Sequence, residues 1–285
     1  MRINTNIASM QAREAATNTN NNLSSSLEKL SSGLRINKAS DDGSGLAIAD
    51  KLRTQASSLG QSISNGNSAV ALTQIADKAM AEQSNILDIV KTKLIQAGTD
   101  TTSAEGREAI EKDINKLLDQ LNNIAKQTNY NGQTLLQASA AGSATAATAL
   151  TFQMGETSND TIATTAGVRS NTTGLSLDTL KTEAADGSAL TTASARAFMA
   201  DIDSALNTLN GWRADFGSTQ NQLESAIRNQ MTQQTNIKNA ESVIRDVDYA
   251  AESANFNKQN IIAQAGTYAM SQANAVQQNV TRLLQ

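Results

Sequence analysis

No proline interrupts this chain. At an average usage of roughly 5%, a polypeptide of this length would carry about fourteen, and it has none in 285 residues. Proline removes a backbone donor and clashes with the preceding turn, so its absence leaves long helices free to run without kinks. The apolar spacing uses that freedom. Leu23, Leu27, Leu30 and Leu34 recur at alternating steps of four and three, the seam spacing of a coiled-coil helix. Near the other end Ala269, Ala273, Val276, Val280, Leu283 and Leu284 continue a similar stripe. Terminal residues are usually poorly ordered unless something ties them down, so stripes placed here predict packing against neighbours.

Composition supports this. From Ser253 to Gln285 the only charged side chains are Lys258 and Arg282, and the rest of the polar face is amide and hydroxyl. Such a face packs on several sides without stranding buried charge. The chain has no Cys and no His, which excludes disulfides, thiol catalysis, imidazole acid–base chemistry and the common transition-metal sites. A formal net charge of −4 argues against a nucleic-acid partner. No apolar run approaches the eighteen or so residues that span a bilayer, and the start lacks a signal-peptide core, so composition alone places the chain in the cytosol with no membrane insertion. The carboxylates Asp201 and Asp203 lie two apart on a helical segment and point to different faces, so they read as solvated charge and no enzyme is expected.

A mainly α fold is expected: a long antiparallel helical bundle or coiled coil with a small β-hairpin region in the middle of the chain. A first helix reaches about Leu34. Asp41-Asp42 reads as a cap rather than a calcium loop, since the alternating acidic ligands are missing. One helix is then predicted from about Ser44 to Gln96, and a second amphipathic segment with Ile110, Ile114, Leu117, Leu121 and Ile124 folds back on it. Asn131-Gly132 marks a turn and Leu150 to Met154 alternates as a strand would. The Ala, Ser, Thr and Gly tracts at Ala138 to Ala149 and Thr164 to Thr173 predict an exposed middle with mobile loops. Helical period returns from about Leu190, with Trp212 and Phe216 as an i,i+4 core pair. The expected divisions are 1–40, a terminal helix pairing with 254–285; 41–178, a long-helix part including a hairpin region at about 129–178; 179–253, the returning part and linker; and 254–285.

Ile3-Asn4-Thr5-Asn6, Leu30-Ser31-Ser32-Gly33-Leu34-Arg35-Ile36-Asn37 and Asp41-Asp42 followed by Gly45-Leu46-Ala47-Ile48-Ala49 resemble the N-terminal region of bacterial flagellins. Ile244-Arg245-Asp246-Val247-Asp248-Tyr249-Ala250, Gln264-Ala265-Gly266, Gln272-Ala273-Asn274, Gln278-Asn279-Val280 and Leu283-Leu284 resemble the C-terminal region. The resemblance implies a short-form subunit of a helical homopolymer, secreted through the flagellar type III export apparatus to an extracellular filament, which revises the cytosolic expectation. It also implies an export chaperone, cap and hook-junction proteins as partners, no cofactor, and inter-subunit packing by Leu23, Leu27, Leu30, Leu34, Val276, Val280, Leu283 and Leu284. A hook–filament junction protein is the nearest alternative. A membrane-active helical protein fits less well, because interfacial helices set a basic face against the apolar one. Exposed Ser and Thr between Ser139 and Ser194 are, by the same resemblance, candidate O-glycan acceptors.

One stretch departs from the family. Flagellins detected by the flagellin-sensing Toll-like receptor read Leu-Gln-Arg-Val-Arg-Glu-Leu-Ala-Val-Gln where this chain reads Leu87-Asp88-Ile89-Val90-Lys91-Thr92-Lys93-Leu94-Ile95-Gln96. Ile89, Thr92 and Lys93 stand in place of Arg, Glu and Leu, which implies weak or no recognition by that receptor.

Overall fold

The computed structural model describes residues 6–138, 147–185 and 190–283, with side chains described for all of these except 185 and 277–283. Six helices dominate: α1 (Ile7–Ser32), α2 (Gly43–Ala97), α3 (Ala104–Gln127), α4 (Asp178–Ala185), α5 (Thr192–Arg245) and α6 (Tyr249–Leu283). Between α3 and α4 lie four short strands, β1 (Asn129–Tyr130), β2 (Gln133–Thr134), β3 (Thr151–Gln153) and β4 (Thr161–Ala163), forming two separate antiparallel pairs, β1 with β2 and β3 with β4. The chain divides into two compact units, Met1–Ala56 with Gln234–Gln285, and Ser57–Gln233. The expected helix from Ser44 to Gln96 is α2.

The larger unit, 57–233, is built on three apolar stripes. On α2, Leu72, Ala76, Met80, Leu87, Val90 and Leu94 follow one another at steps of three, four or seven, and all are buried. On α3 the stripe is Ile110, Ile114, Leu118 and Leu121, and on α5 it includes Phe198, Ile202, Leu209 and Phe216. These form one contiguous core, with Trp212 packed against it half-buried, as the i,i+4 reading required. Directions follow from polar pairs at the rim. Lys93 reaches Asp113 at 3.1 Å while Gln83 reaches the carbonyl of Leu121, so α3 runs antiparallel to α2. Lys91 pairs with Asp203 and Asp77 with Arg213, so α5 does too. These rim ion pairs are partly exposed and orient the helices more than they stabilise them.

Gln83 occupies a core position on the α2 stripe, between Met80 and Leu87, and is fully buried. Its Nε2 donates to the carbonyls of Leu121 on α3 and of Ser170, at 3.0 Å each. That amide ties the returning segment into the core, and here the sequence expectation fails. The Ser/Thr tract from Thr164 to Thr173 was expected to be exposed and mobile, yet Thr164, Val168, Ser170, Asn171 and Thr172 are buried. Small polar residues can be buried where most of their donors and acceptors are paired. Thr164 Oγ1 accepts from the Leu150 amide at 2.9 Å, Thr172 N donates to Asn122 Oδ1 at 2.9 Å, and Asn122 Nδ2 donates to Thr172 Oγ1 at 3.2 Å. Leu175 and Leu177 follow, both buried, and Leu180 is buried on α4 itself. Residues 139–146 and 186–189 of the expected outer region lie outside the described residues.

The first hairpin is a two-residue turn. Tyr130 pairs with Gln133, and Asn131 and Gly132 between them have φ of 51° and 81°. Two left-handed residues in succession match the right-handed twist of the flanking strands, which explains the Asn-Gly choice. Leu135 and Leu136 then enter the core.

The stripes predict a sharp contrast on α2. Leu94→Ala should destabilise the chain by about 2–5 kcal/mol, while Ile95→Ala, at an exposed neighbouring position, should stay within about 0.5 kcal/mol. Denaturant midpoints at unchanged m-value check this, and equal losses at the two positions would contradict the assignment of the core face.

Candidate interaction surface

In the smaller unit, α1 and α6 pair antiparallel. Asn6 caps α1, accepting from Ser9 N at 3.0 Å, and its Nδ2 donates to the carbonyl of Ala273 at 3.2 Å. Ser9 Oγ donates to Asn274 Oδ1 at 2.8 Å. Near the other end of α1, Ser26 Oγ donates to Glu252. The side chains of α1 buried in this pairing are Thr19 and Ser26, both small and hydroxylated. Thr19 donates its hydroxyl to the Ala15 carbonyl of its own helix, and Ser26 bonds across to α6, so hydrogen bonds join the two helices beside the half-buried Leu23 and Leu30.

Other large apolar side chains of this unit are exposed. Among the described residues, Ile7, Met10, Leu27, Ile261, Tyr268 and Val276 are all at least half exposed, with Ile261 at 67% and Tyr268 at 75%. Among the described residues of the larger unit, the exposed large apolar side chains are Ile75, Ile89, Ile95 and Met231. Of the expected packing residues, Leu23, Leu30 and Leu34 are half-buried, while Leu27 and Val276 are 50% and 55% exposed. The side chains of Val280 and Leu283, and all of Leu284, lie outside the described residues. Scattered apolar side chains are normal on a surface, whereas several on one helix pair are the feature a contact surface would use. Covering one such side chain contributes about 1.5–3 kcal/mol.

The linkers flanking this pair are held by backbone as well as side chains. Gly33, with φ of 73°, ends α1 by donating its amide to the carbonyl of Lys29 at 2.9 Å. A left-handed C-cap favours glycine, and a Cβ there would also sit 2.9 Å from the Tyr249 hydroxyl. Leu34 bridges Asp246: Arg35 N donates to Arg245 O at 2.7 Å, and Val247 N donates to Gly33 O at 3.0 Å. The expected cap at Asp41-Asp42 is divided between two carboxylates. Asp42 Oδ1 accepts from Gly45 N at 2.9 Å and so caps α2. Asp41 Oδ2 instead accepts from the amides of Asn37 and Lys38, at 3.1 and 3.2 Å, closing the linker on itself. Those backbone donors, that of Asn37 first, hold the Asp41 carboxyl below the usual aspartate range. The linker-to-linker pairing had no counterpart in the sequence reading, since a single bridge leaves no periodicity.

On α2 in the larger unit, Ile89 is 47% exposed, Thr92 is exposed with its hydroxyl donating to the Asp88 carbonyl at 3.0 Å, and Lys93 is engaged with Asp113. Asp203 is taken by Lys91, and Asp201 is exposed without joining it in a site. Among the described residues no group of three or more His, Cys, Asp or Glu could hold a metal ion, and no helix is long and apolar enough to cross a membrane.

Comparison with known proteins places this arrangement. Residues 3–141 match the bacterial flagellin N-terminal helical region, and residues 199–284 match the bacterial flagellin C-terminal helical region. The flagellin of Bacillus subtilis (strain 168) is 36% identical over 309 aligned residues that cover 100% of both chains. Flagellin B of Helicobacter pylori (strain J99 / ATCC 700824) is 50% identical over 170 residues, which is 60% of this chain and 32% of that protein, so the match spans about a third of the longer relative. A solved chain described as a flagellar hook-associated protein from Vibrio parahaemolyticus covers 72% of this chain and 99% of its own, with a TM-score of 0.59 and 13% identity, a likeness of fold alone.

The Asp41 closure has a pH signature. A carboxyl held low in the folded chain and ordinary in the unfolded one contributes stability above the ordinary aspartate value of about 3.9, and that contribution is lost as pH falls through the folded value. Amide exchange at Asn37 and Lys38 should therefore lose protection on acidification in step with the Asp41 carboxyl titration. Asp41→Asn should remove that pH dependence. Protection that ignores the Asp41 titration would refute the linker closure.

Proposed function

The chain belongs to the bacterial flagellins, and from that membership we propose that it is a structural subunit that polymerises into the flagellar filament for swimming motility. The observation that carries the reading is the uncovered apolar run on α1 and α6, whose polar face is nearly free of charge from Ser253 onward. Covering that run by neighbouring copies requires little charge to be buried, so inter-subunit packing by Leu23, Leu27, Leu30, Leu34, Val276, Val280, Leu283 and Leu284 is favourable. In this reading α1 and α6 form the inner layers of the polymer. Secretion through the flagellar type III apparatus, an export chaperone, and contacts with cap and hook-junction proteins are the partners that such a subunit needs.

Removing 255–285 should abolish polymerisation while leaving the cooperative unfolding of the 57–233 core in place. Ile261→Asp with Val276→Asp tests the same point with less disturbance: each loses about 1.5–3 kcal/mol of contact, raising the critical concentration roughly tenfold or more. Electron microscopy of seeded protein reads the outcome, and long uniform filaments from the truncated chain would sink the proposal. Short capped stubs from the intact chain would favour the junction-protein alternative instead.

The departure at Ile89, Thr92 and Lys93 supports weak recognition by the flagellin-sensing Toll-like receptor. A forked Arg contact and a Glu contact are absent there, and Lys93 is committed to Asp113. Each charge-assisted hydrogen bond is worth about 1.5–3 kcal/mol, so the purified monomer should activate the receptor only at concentrations raised by orders of magnitude. The triple change Ile89→Arg, Thr92→Glu, Lys93→Leu should restore part of that response. Strong activation by the unmodified protein would overturn this part of the reading.

A further inference from the structure

Three Asn-Gly pairs occur in the chain: Asn65-Gly66, Asn131-Gly132 and Asn210-Gly211. Each has the chemistry for self-modification, because glycine offers no Cβ to hinder its own backbone nitrogen. The structure separates them. Asn65-Gly66 lies inside α2, where Gly66 is buried and a Cβ would sit 2.8 Å from both Ile227 and Met154. Asn65 is also bound, its Nδ2 donating to the Gln153 carbonyl at 3.3 Å and its Oδ1 accepting from Gln61 at 3.0 Å. Asn210-Gly211 is in the middle of α5, where a glycine amide is committed to the carbonyl four residues earlier. Asn131-Gly132 is different. Both residues are exposed, both have positive φ, nothing lies within 4 Å of a Cβ position on Gly132, and the ladder pairs Tyr130 with Gln133 on either side of them.

We propose that Asn131-Gly132 is a spontaneous backbone-modification site, at which the side-chain amide of Asn131 is lost as ammonia and an aspartate or isoaspartate remains. The Gly132 nitrogen gives up its proton and attacks Asn131 Cγ. A new N–Cγ bond closes a five-membered imide, the Cγ–Nδ2 bond breaks, and Nδ2 leaves as ammonia with the proton. Water then opens the ring at either carbonyl. Attack at Cγ yields aspartate with the original backbone, and attack at the main-chain carbonyl yields isoaspartate with one extra backbone methylene. Each product adds one negative charge to the chain. The left-handed turn requires a rotation about Asn131 before attack, but that rotation opens only the tip of a two-residue hairpin. The same rotation at position 65 or 210 requires unwinding a helix of more than fifty residues.

The intact chain, incubated folded at mildly alkaline pH and digested at intervals, tests this by mass spectrometry with fragmentation that distinguishes isoaspartate. Conversion at Asn131 should run at least about tenfold faster than at Asn65 or Asn210, since turn tips open far more readily than helix interiors. The rate should rise with pH, because the attacking nitrogen must lose its proton. In denaturant the three sites should become similar, and Asn131→Asp should abolish ammonia release from the hairpin peptide. An Asn131 peptide that stays unmodified while Asn210 converts, or three equal rates in the folded chain, would overturn the proposal.

Discussion

A helix of more than fifty residues holds together in water only if its apolar stripe is covered along its length, because propensity alone leaves isolated helices marginal. In the 57–233 unit α2, α3 and α5 meet this requirement mutually, with Leu87, Val90 and Leu94 facing Ile110, Ile114 and Leu118 while α5 contributes Ile202 and Leu209. The absence of proline allows the backbone to run uninterrupted, but the stripes decide where each helix lies. Everything else in this unit attaches to that core. The hairpins, α4 and the Ser/Thr-rich return reach it through a few leucines and a set of hydrogen bonds from Gln83 and Asn122.

Which parts could be read beforehand follows from how each is stabilised. Apolar periodicity produced α1, α2, α3 and α5 with boundaries near those observed, and Asn131-Gly132 gave the first turn because its backbone angles admit few other residues. The burial of Thr164 to Thr172 left no such trace. Its stabilisation comes from specific pairings, Thr164 with the Leu150 amide and Thr172 with Asn122, and pairings between residues that far apart in the chain have no spacing rule. Gln83 shows the same limit from the other side, as a polar residue on an apolar stripe that composition treats as a blemish and the fold uses as a tie. The α4 segment was legible in principle, since Leu175, Leu177 and Leu180 around an acidic first turn are a helix start. The low apolar content of its surroundings hid it.

The two units use opposite solutions for their apolar residues. The 57–233 unit buries its large side chains within one chain. The α1–α6 pair buries hydroxyls and keeps isoleucine, methionine and tyrosine outside, so its internal bonds set geometry and its outer face supplies adhesion. That division lets the helix pair exist without consuming its outer apolar side chains.

The backbone bridge between Leu34 and Asp246 carries one more consequence. Helical side chains advance by about 100° and about 1.5 Å per residue, so the chain entering α2 and the chain entering α6 must leave their linkers in a particular rotational phase. The two amide–carbonyl bonds joining Gly33 and Arg35 to Val247 and Arg245 fix both linkers to a common origin. Inserting or deleting a single residue in the linker before α6 would break that reference and turn α6 by somewhat more than a quarter of a revolution, carrying it off its contacts with Asn6, Ser9 and Ser26 of the first helix. The length of these two short segments is therefore part of the structure in the same sense as their hydrogen bonds.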